Sequence, residues 1–434
     1  MFTRIGISFA TMMLVGGFTQ ANVSSSLLVE MTDQQLSETT GQALMSLTYI
    51  APNDIANLES HREGGDKNIG FYKLGLEAEL AINANIKKLQ LGCGGSNGAG
   101  TCDIDIDNFS LSGLADTREG RVGSDAVLSN PFIEFAIKNP NSASTREISG
   151  LRLSAEKAVG MLTLGEENTD TPNGIKSFSG YMKLASASGV AKTAERSMTN
   201  ALGNMTGRIS IKNAFPLSSD PRPFSSSSYD LKLYQASVPF STKPMEITGN
   251  RMTTVNLIAE ALIPEINFAG PLDAKINVIG LPITLSKNVT GKITNLGVDI
   301  GIQQSLGMIH KIPVNGNPFS LSLQSQNIQW TGAAAFAAKG WWMAFENDIE
   351  LGNVTPSNEI PITDELLAQV LPKVNQYLYD NPITCDGYSG CLGGDLPINN
   401  PINLNGQKVA LPLTNLKLGA QSFAPNCYGA LKFC

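Results

Sequence analysis

Histidine, the side chain best suited to moving protons near neutral pH, occurs twice in 434 residues, as His61 and His310. A Ser-His-Asp triad would have to recruit one of them. His61 lies in a polar run, SHREGGDKN, whereas His310 alternates with apolar neighbours in MIHKIP, the pattern of a strand. Gly94-Gly95-Ser96-Asn97-Gly98 matches the G-x-S-x-G of a nucleophile elbow. An elbow must pass from strand into helix, and here a glycine-rich loop runs into Cys102 and another strand-like segment. The match reads as the turn of a disulfide-closed hairpin, and the chain reads as a non-enzyme.

Asp103, Asp105 and Asp107 begin like a calcium loop, D-x-D-x-D. An EF-hand then needs Gly at its sixth position and Glu at its twelfth, where Asn108 and Leu114 stand. Alternating Asp and Ile is what a solvated strand face produces. A weak calcium site at these carboxylates is the one metal chemistry on offer, and no other cofactor is expected.

The six cysteines fall in three close couples, Cys93 with Cys102, Cys385 with Cys391, and Cys427 with Cys434. None has the C-x-x-C spacing of a zinc ribbon, so three local disulfides are expected, in an oxidising compartment. All the tryptophan lies in one stretch, Trp330, Trp341 and Trp342. Adjacent residues of a strand face opposite sides, so at least one indole is expected at an interface, within the chain or at a binding surface for sugar, lipid or protein.

The elements that must position these residues are mostly strands. Every second residue from Tyr72 to Ile86 is apolar or small, and the phase flips onto Leu89 and Leu91 after Lys87-Lys88, which predicts one long strand followed by a bulge. Similar alternation recurs at Ile133, Phe135 and Ile137, at Leu151 and Leu153, and from Val255 to Ile263. Helix signals are few. Thr32 could cap one short helix that Gly41 ends, and Thr363 another, with Pro372 kinking or splitting it. The expected fold is mainly β: long antiparallel strands in two sheet domains, as a sandwich or curled roll, with a disulfide-stapled C-terminal module.

The boundaries follow from composition. Residues 1–21 read as a signal peptide cleaved after Ala21, since the apolar run Ile5 to Phe18 is shorter than the roughly 20 residues of a membrane span. Residues 22–66 form an N-terminal segment with the short helix, 67–215 a first β domain, and 216–228, with its prolines and serine run, a linker. A second β domain covers 229–357, a helix 358–380 and the cysteine-rich module 381–434. No transmembrane helix is expected after the signal. Charged residues make up 16% of the chain, and 31 Lys and Arg against 38 Asp and Glu leave a net charge of −7. No basic run is available to neutralise phosphates, which argues against nucleic acid as a partner.

The segment MTDQQLSETTGQA, Met31 to Ala43, resembles the D-x-x-L-S-x-x-x-G-Q-A opening of a poorly characterised group of exported Gram-negative proteins, some described as pilus-system proteins. LQLGCGGSNGAGTCDIDIDN and PFIEFAIKNPNS are similar to segments of the same group. The resemblance implies a cell-envelope protein of the periplasm, outer-membrane surface or extracellular space, associated with surface filaments, and it transfers no catalytic residue. The leading expectation is therefore a non-enzymatic structural or adhesive envelope protein whose partners are other envelope or surface proteins. Long alternating strands equally suit a carrier of lipid or another hydrophobic ligand, and a third reading is an outer-membrane β-barrel.

Overall fold

Alternation along the chain decides the architecture, because a strand with one apolar face is stable only when that face is covered. The computed structural model describes residues 44–421 apart from 95–97, 99, 167–170, 214–220, 279–280, 317–318, 357–358, 388–389, 391 and 399. The chain builds β1 (Met45–Ile50), β2 (Ile69–Leu76), β3 (Glu79–Ile82), β4 (Ala84–Leu91), β5 (Ile104–Ser112), β6 (Ala126–Lys138), β7 (Glu147–Thr163) and β8 (Ile175–Leu184). It then lays down β9 (Ser188–Lys192), β10 (Arg196–Thr199), β11 (Met205–Lys212), β12 (Arg222–Leu233), β13 (Ser237–Thr242) and β14 (Met245–Met252). The longest hairpin follows, β15 (Thr254–Val278) with β16 (Leu281–Ser305), and then β17 (Lys311–Asn315), β18 (Phe319–Gln324) and β19 (Gly340–Ile349). The remaining strands are β20 (Asn353–Thr355), β21 (Ile383–Asp386), β22 (Leu392–Pro397), β23 (Ile402–Asn403), β24 (Lys408–Thr414) and β25 (Lys417–Leu418). Helices are α1 (Leu58–His61), α2 (Arg118–Val122) and α3 (Asp364–Asp380).

Two large sheets result, as the mainly-β expectation requires. The first runs β1-β2-β6-β7-β18-β19-β8-β5-β4, with β3, β14 and β17 attached. The second holds β9 to β13, β15, β16 and β20 to β25. One apolar core draws on both, from Ile104, Leu162 and Met182 in the first to Leu257, Val298 and Ile300 in the second. A smaller core lies on the other face of the first sheet, around Ile69, Phe71, Trp330 and Trp342. Among the described residues, no helix is long and apolar enough to cross a membrane.

The first sheet closes on itself. One edge of β7 is taken by β18 at Gly150–Ser154 and by β17 at Val159–Thr163. The other edge is taken by β6 as far as Val159, and then by β5 at Met161–Thr163. Because β5 also pairs β8, and β8 pairs β19, the circuit β7-β18-β19-β8-β5 returns to β7. The sheet therefore forks where β6 gives way to β5. The fork opens a groove between β6 and β7 on one side and β3, β4 and β5 on the other.

Several expectations change. Tyr72 to Ile86 is not one strand but β2, β3 and the start of β4, because β6 bends at Asn130, whose φ is 49°, and its N–H bonds the carbonyl of Ala78 at the break. The bulge after Lys88 is not an inserted residue: the register runs unbroken from Ile86↔Phe109 to Lys88↔Asp107, and the irregularity is the left-handed Asn108 opposite, φ 49°. The linker at 216–228 is not one either, since Arg222–Ser228 is the first half of β12, and Ser226 turns inward to donate to the carbonyl of Asp273. Strands from both 67–215 and 229–357 enter both sheets, so these ranges are not separate domains, and from Met45 onward the described residues form one compact unit. Residues 383–418 are no separate module, because β21 pairs β11 and β22 to β24 extend β16.

Thr363 caps α3, its hydroxyl accepting from the N–H of Leu366 at 3.3 Å. Pro372 does not split that helix, which is continuous from Asp364 to Asp380. A proline inside a helix costs about 3 kcal/mol, whereas six buried apolar residues on one face, Leu366, Leu367, Val370, Leu371, Val374 and Leu378, return roughly 2 kcal/mol each. Packing wins over propensity. The helix expected after Thr32 lies outside the described residues.

Candidate apolar ligand groove

Residues paired directly across a sheet share a face, and the first sheet lines up apolar side chains in rows. One row runs Leu47, Leu74, Ile133, Leu153, Leu321 and Met343 across six strands. The next runs Tyr49, Tyr72, Phe135, Leu151, Leu323 and Trp341, with the two tyrosine rings stacked 4.4 Å apart. The opposite face carries Thr48, Lys73, Glu134, Arg152, Ser322 and Trp342. A one-residue slip would exchange the two faces, which ties the register to this apolar surface.

At the fork of β6 and β5, the row containing Leu153 faces β3, β4 and β5 across a groove of about 500 Å³. Its walls include Leu76, Ile133 and Leu153 on one side and Ile82, Ile86 and Phe109 on the other. The floor is dry: Met343 is 4% exposed and Leu111 7%. The rim is open to water, with Leu153 at 44%, Ile133 and Ile86 at 38%, and Met45 at 60%. A contiguous apolar surface left this exposed is characteristic of a binding site.

On the opposite face, the guanidinium of Arg152 pairs with buried Glu134 at 2.5 Å, donates to the carbonyl of Thr331 at 2.8 Å and lies over the rings of Phe132 and Trp330. Burial pushes the Glu346 carboxyl up, with only partial compensation from the N–H of Ala334 and the charges of Lys183 and Arg152. These groups hold the segment carrying Trp330 against the sheet. They do not enter the groove.

The residues singled out by type take structural places. Cys93 and Cys102 form a disulfide that closes the β4–β5 hairpin. Cys385 is also disulfide-bonded, while Cys391, Cys427 and Cys434 lie outside the described residues, as does Ser96. Asp103 is buried, accepting from Arg251 Nε and the N–H of Trp341, each at 3.0 Å. Asp105 and Asp107 both pair with Lys88 at 2.8 Å. Burial alone would raise the Asp105 carboxyl, but bonds from Lys88 and Gln90 outweigh it and hold it below the usual range. The three carboxylates are thus engaged by cations and backbone, and among the described residues no group of three or more His, Cys, Asp or Glu is arranged to hold a metal.

Trp330 and Trp342 are buried in the smaller core, with Trp330 Nε1 donating to Gln324 at 3.3 Å, so neither forms a binding surface. Trp341, on the opposite face from Trp342, packs half-buried against the larger core. The predicted split of the adjacent indoles holds, and the interfaces are internal. His310 is buried, its Nδ1 against the carbonyl of Leu164 at 2.8 Å, and His61 ends α1.

No family model, curated protein or solved structure matches the chain. Alternation marked Leu74, Ile86, Ile133 and Leu153 as inward-facing, but nothing in it distinguishes a strand face covered by protein from one left open. That difference depends on the fork at β7, which joins segments far apart in sequence.

Proposed function

We propose that this is an exported envelope protein that binds a hydrophobic ligand, of the acyl-chain kind, in the groove at the fork of the first sheet. The observation that carries the reading is the groove itself, about 500 Å³, walled by apolar side chains from nine strands and exposed along its rim. Each methylene taken from water into such a surface contributes about 0.8 kcal/mol, enough for a long chain to bind without polar anchors. Export is supported by the leader-like N-terminus and the Cys93–Cys102 disulfide. Organic extraction of the protein purified from its native host tests the reading: about one chain-bearing lipid per protein supports it, and lipid-free protein that also fails to take up added lipid contradicts it.

A structural or adhesive role keeps support from β1. This edge strand, MSLTYI, is uncharged and free of proline, pairs only β2 among the described residues, and leaves Leu47 71% exposed. Edges of soluble sheets usually carry charges or prolines that prevent strand addition. If assembly uses this edge, Thr48→Pro abolishes it and leaves lipid uptake intact; unchanged assembly would rule the edge out.

A further inference from the structure

Among the described residues, the groove has walls for a chain and nothing for a headgroup. Among the twenty described residues that line it none is charged, and the one polar side chain among them, Ser154, already donates its hydroxyl to the carbonyl of Phe319 at 2.8 Å. The nearest buried ions, Glu134 and Arg152, alternate with Ile133 and Leu153 and so lie on the other face of the sheet. A polar group drawn into the floor between Leu111 and Met343 would find no partner and would be expelled toward the exposed rim.

Volume limits the occupant further. A methylene fills about as much space as a molecule of liquid water, about 30 Å³, so 500 Å³ holds on the order of sixteen methylenes. That is one chain of membrane-lipid length. Two such chains would need about twice the space.

Resting on the hydrophobic-ligand reading above, we infer that the groove is specific for single-chain amphiphiles, selecting them by chain length and not by headgroup. The chain lies between the Leu153 row and the β4–β5 hairpin, and the polar end stays in water at the rim formed by Met45, Ile133 and Leu153. A diacyl lipid is held by one chain at most.

The test is displacement of a fluorescent fatty acid from the delipidated full-length mature protein, below the micellar concentration of each competitor. Competitors are linear carboxylates, alcohols and trimethylammonium salts of increasing length, and a short-chain diacyl phosphatidylcholine. Affinity should rise about threefold to fourfold per methylene until the groove is full at about sixteen carbons and then level off. At equal length the three headgroups should agree within about threefold, and the diacyl lipid should bind no better than one of its chains. Ala84→Phe, which adds a ring to a half-buried wall position, should move the plateau to shorter chains. Headgroup differences above tenfold, or tighter binding of the diacyl lipid, would overturn this inference while leaving a hydrophobic ligand in place. Failure of every chain, the fluorescent acid included, would overturn both.

Discussion

Glu134 and Arg152 face each other across β6 and β7 with almost no contact with water. Removing one partner of such a pair leaves the other charge buried alone, so Glu134→Ala should cost about 3–5 kcal/mol in denaturant unfolding. A loss under 1 kcal/mol would show that water reaches Arg152. Glu346 tests the same region through pH. Burial raises its folded pKa above the ordinary value of 4.5, so between those two values the folded chain binds more protons than the unfolded one. Stability attributable to Glu346 is therefore full below 4.5 and falls as pH rises through the raised value. Glu346→Gln should raise the melting temperature at neutral pH and flatten its pH dependence above 4.5; an unchanged profile would refute the assignment. Residue type alone was a partial guide. It separated Trp341 from Trp342 correctly, but it could not foresee that Asp103 is occupied by Arg251, because that contact joins residues 148 positions apart.

At the scale of elements, two local devices have separable effects. Thr363→Ala removes the cap of α3 and should cost about 1 kcal/mol, read from urea unfolding, with Thr363→Ser restoring most of it. Replacing Cys93 and Cys102 together by serine opens the β4–β5 hairpin and should cost about 2–4 kcal/mol in thermal or denaturant unfolding; if groove binding survives at low temperature, the staple serves stability and not recognition. Strand existence was legible because alternation is local chemistry. Strand ends were less so: the break near Ala78 is set by the bend at Asn130, and the serine run of β12 reads as a linker until Ser226 finds the carbonyl of Asp273. The helix cap was legible in full, and the continuity of α3 through Pro372 was not, because it depends on what the helix packs against.

For the whole molecule, low charge has a specific placement. Asp230, Lys232, Glu260 and Lys408 hold the water-facing side of the second sheet, while the row from Leu47 to Met343 across the first carries no charge at all. The site was legible as a set of inward-facing residues and illegible as a groove, since its two walls meet through pairings of β7 with three strands besides β6, and of β3 with β6. The central claim is that this open apolar surface is a ligand site. Leu153, 44% exposed on its wall, can accept a charge without emptying the core. The most direct measurement is equilibrium binding of a fluorescent fatty acid to the mature protein and to its Leu153→Asp variant, with unfolding curves recorded for both. Saturable binding at about one per chain, weakened at least tenfold by the substitution while the unfolding midpoint is nearly unchanged, is the result predicted. No saturable binding by the parent protein, or equal binding by a folded Leu153→Asp variant, would contradict it.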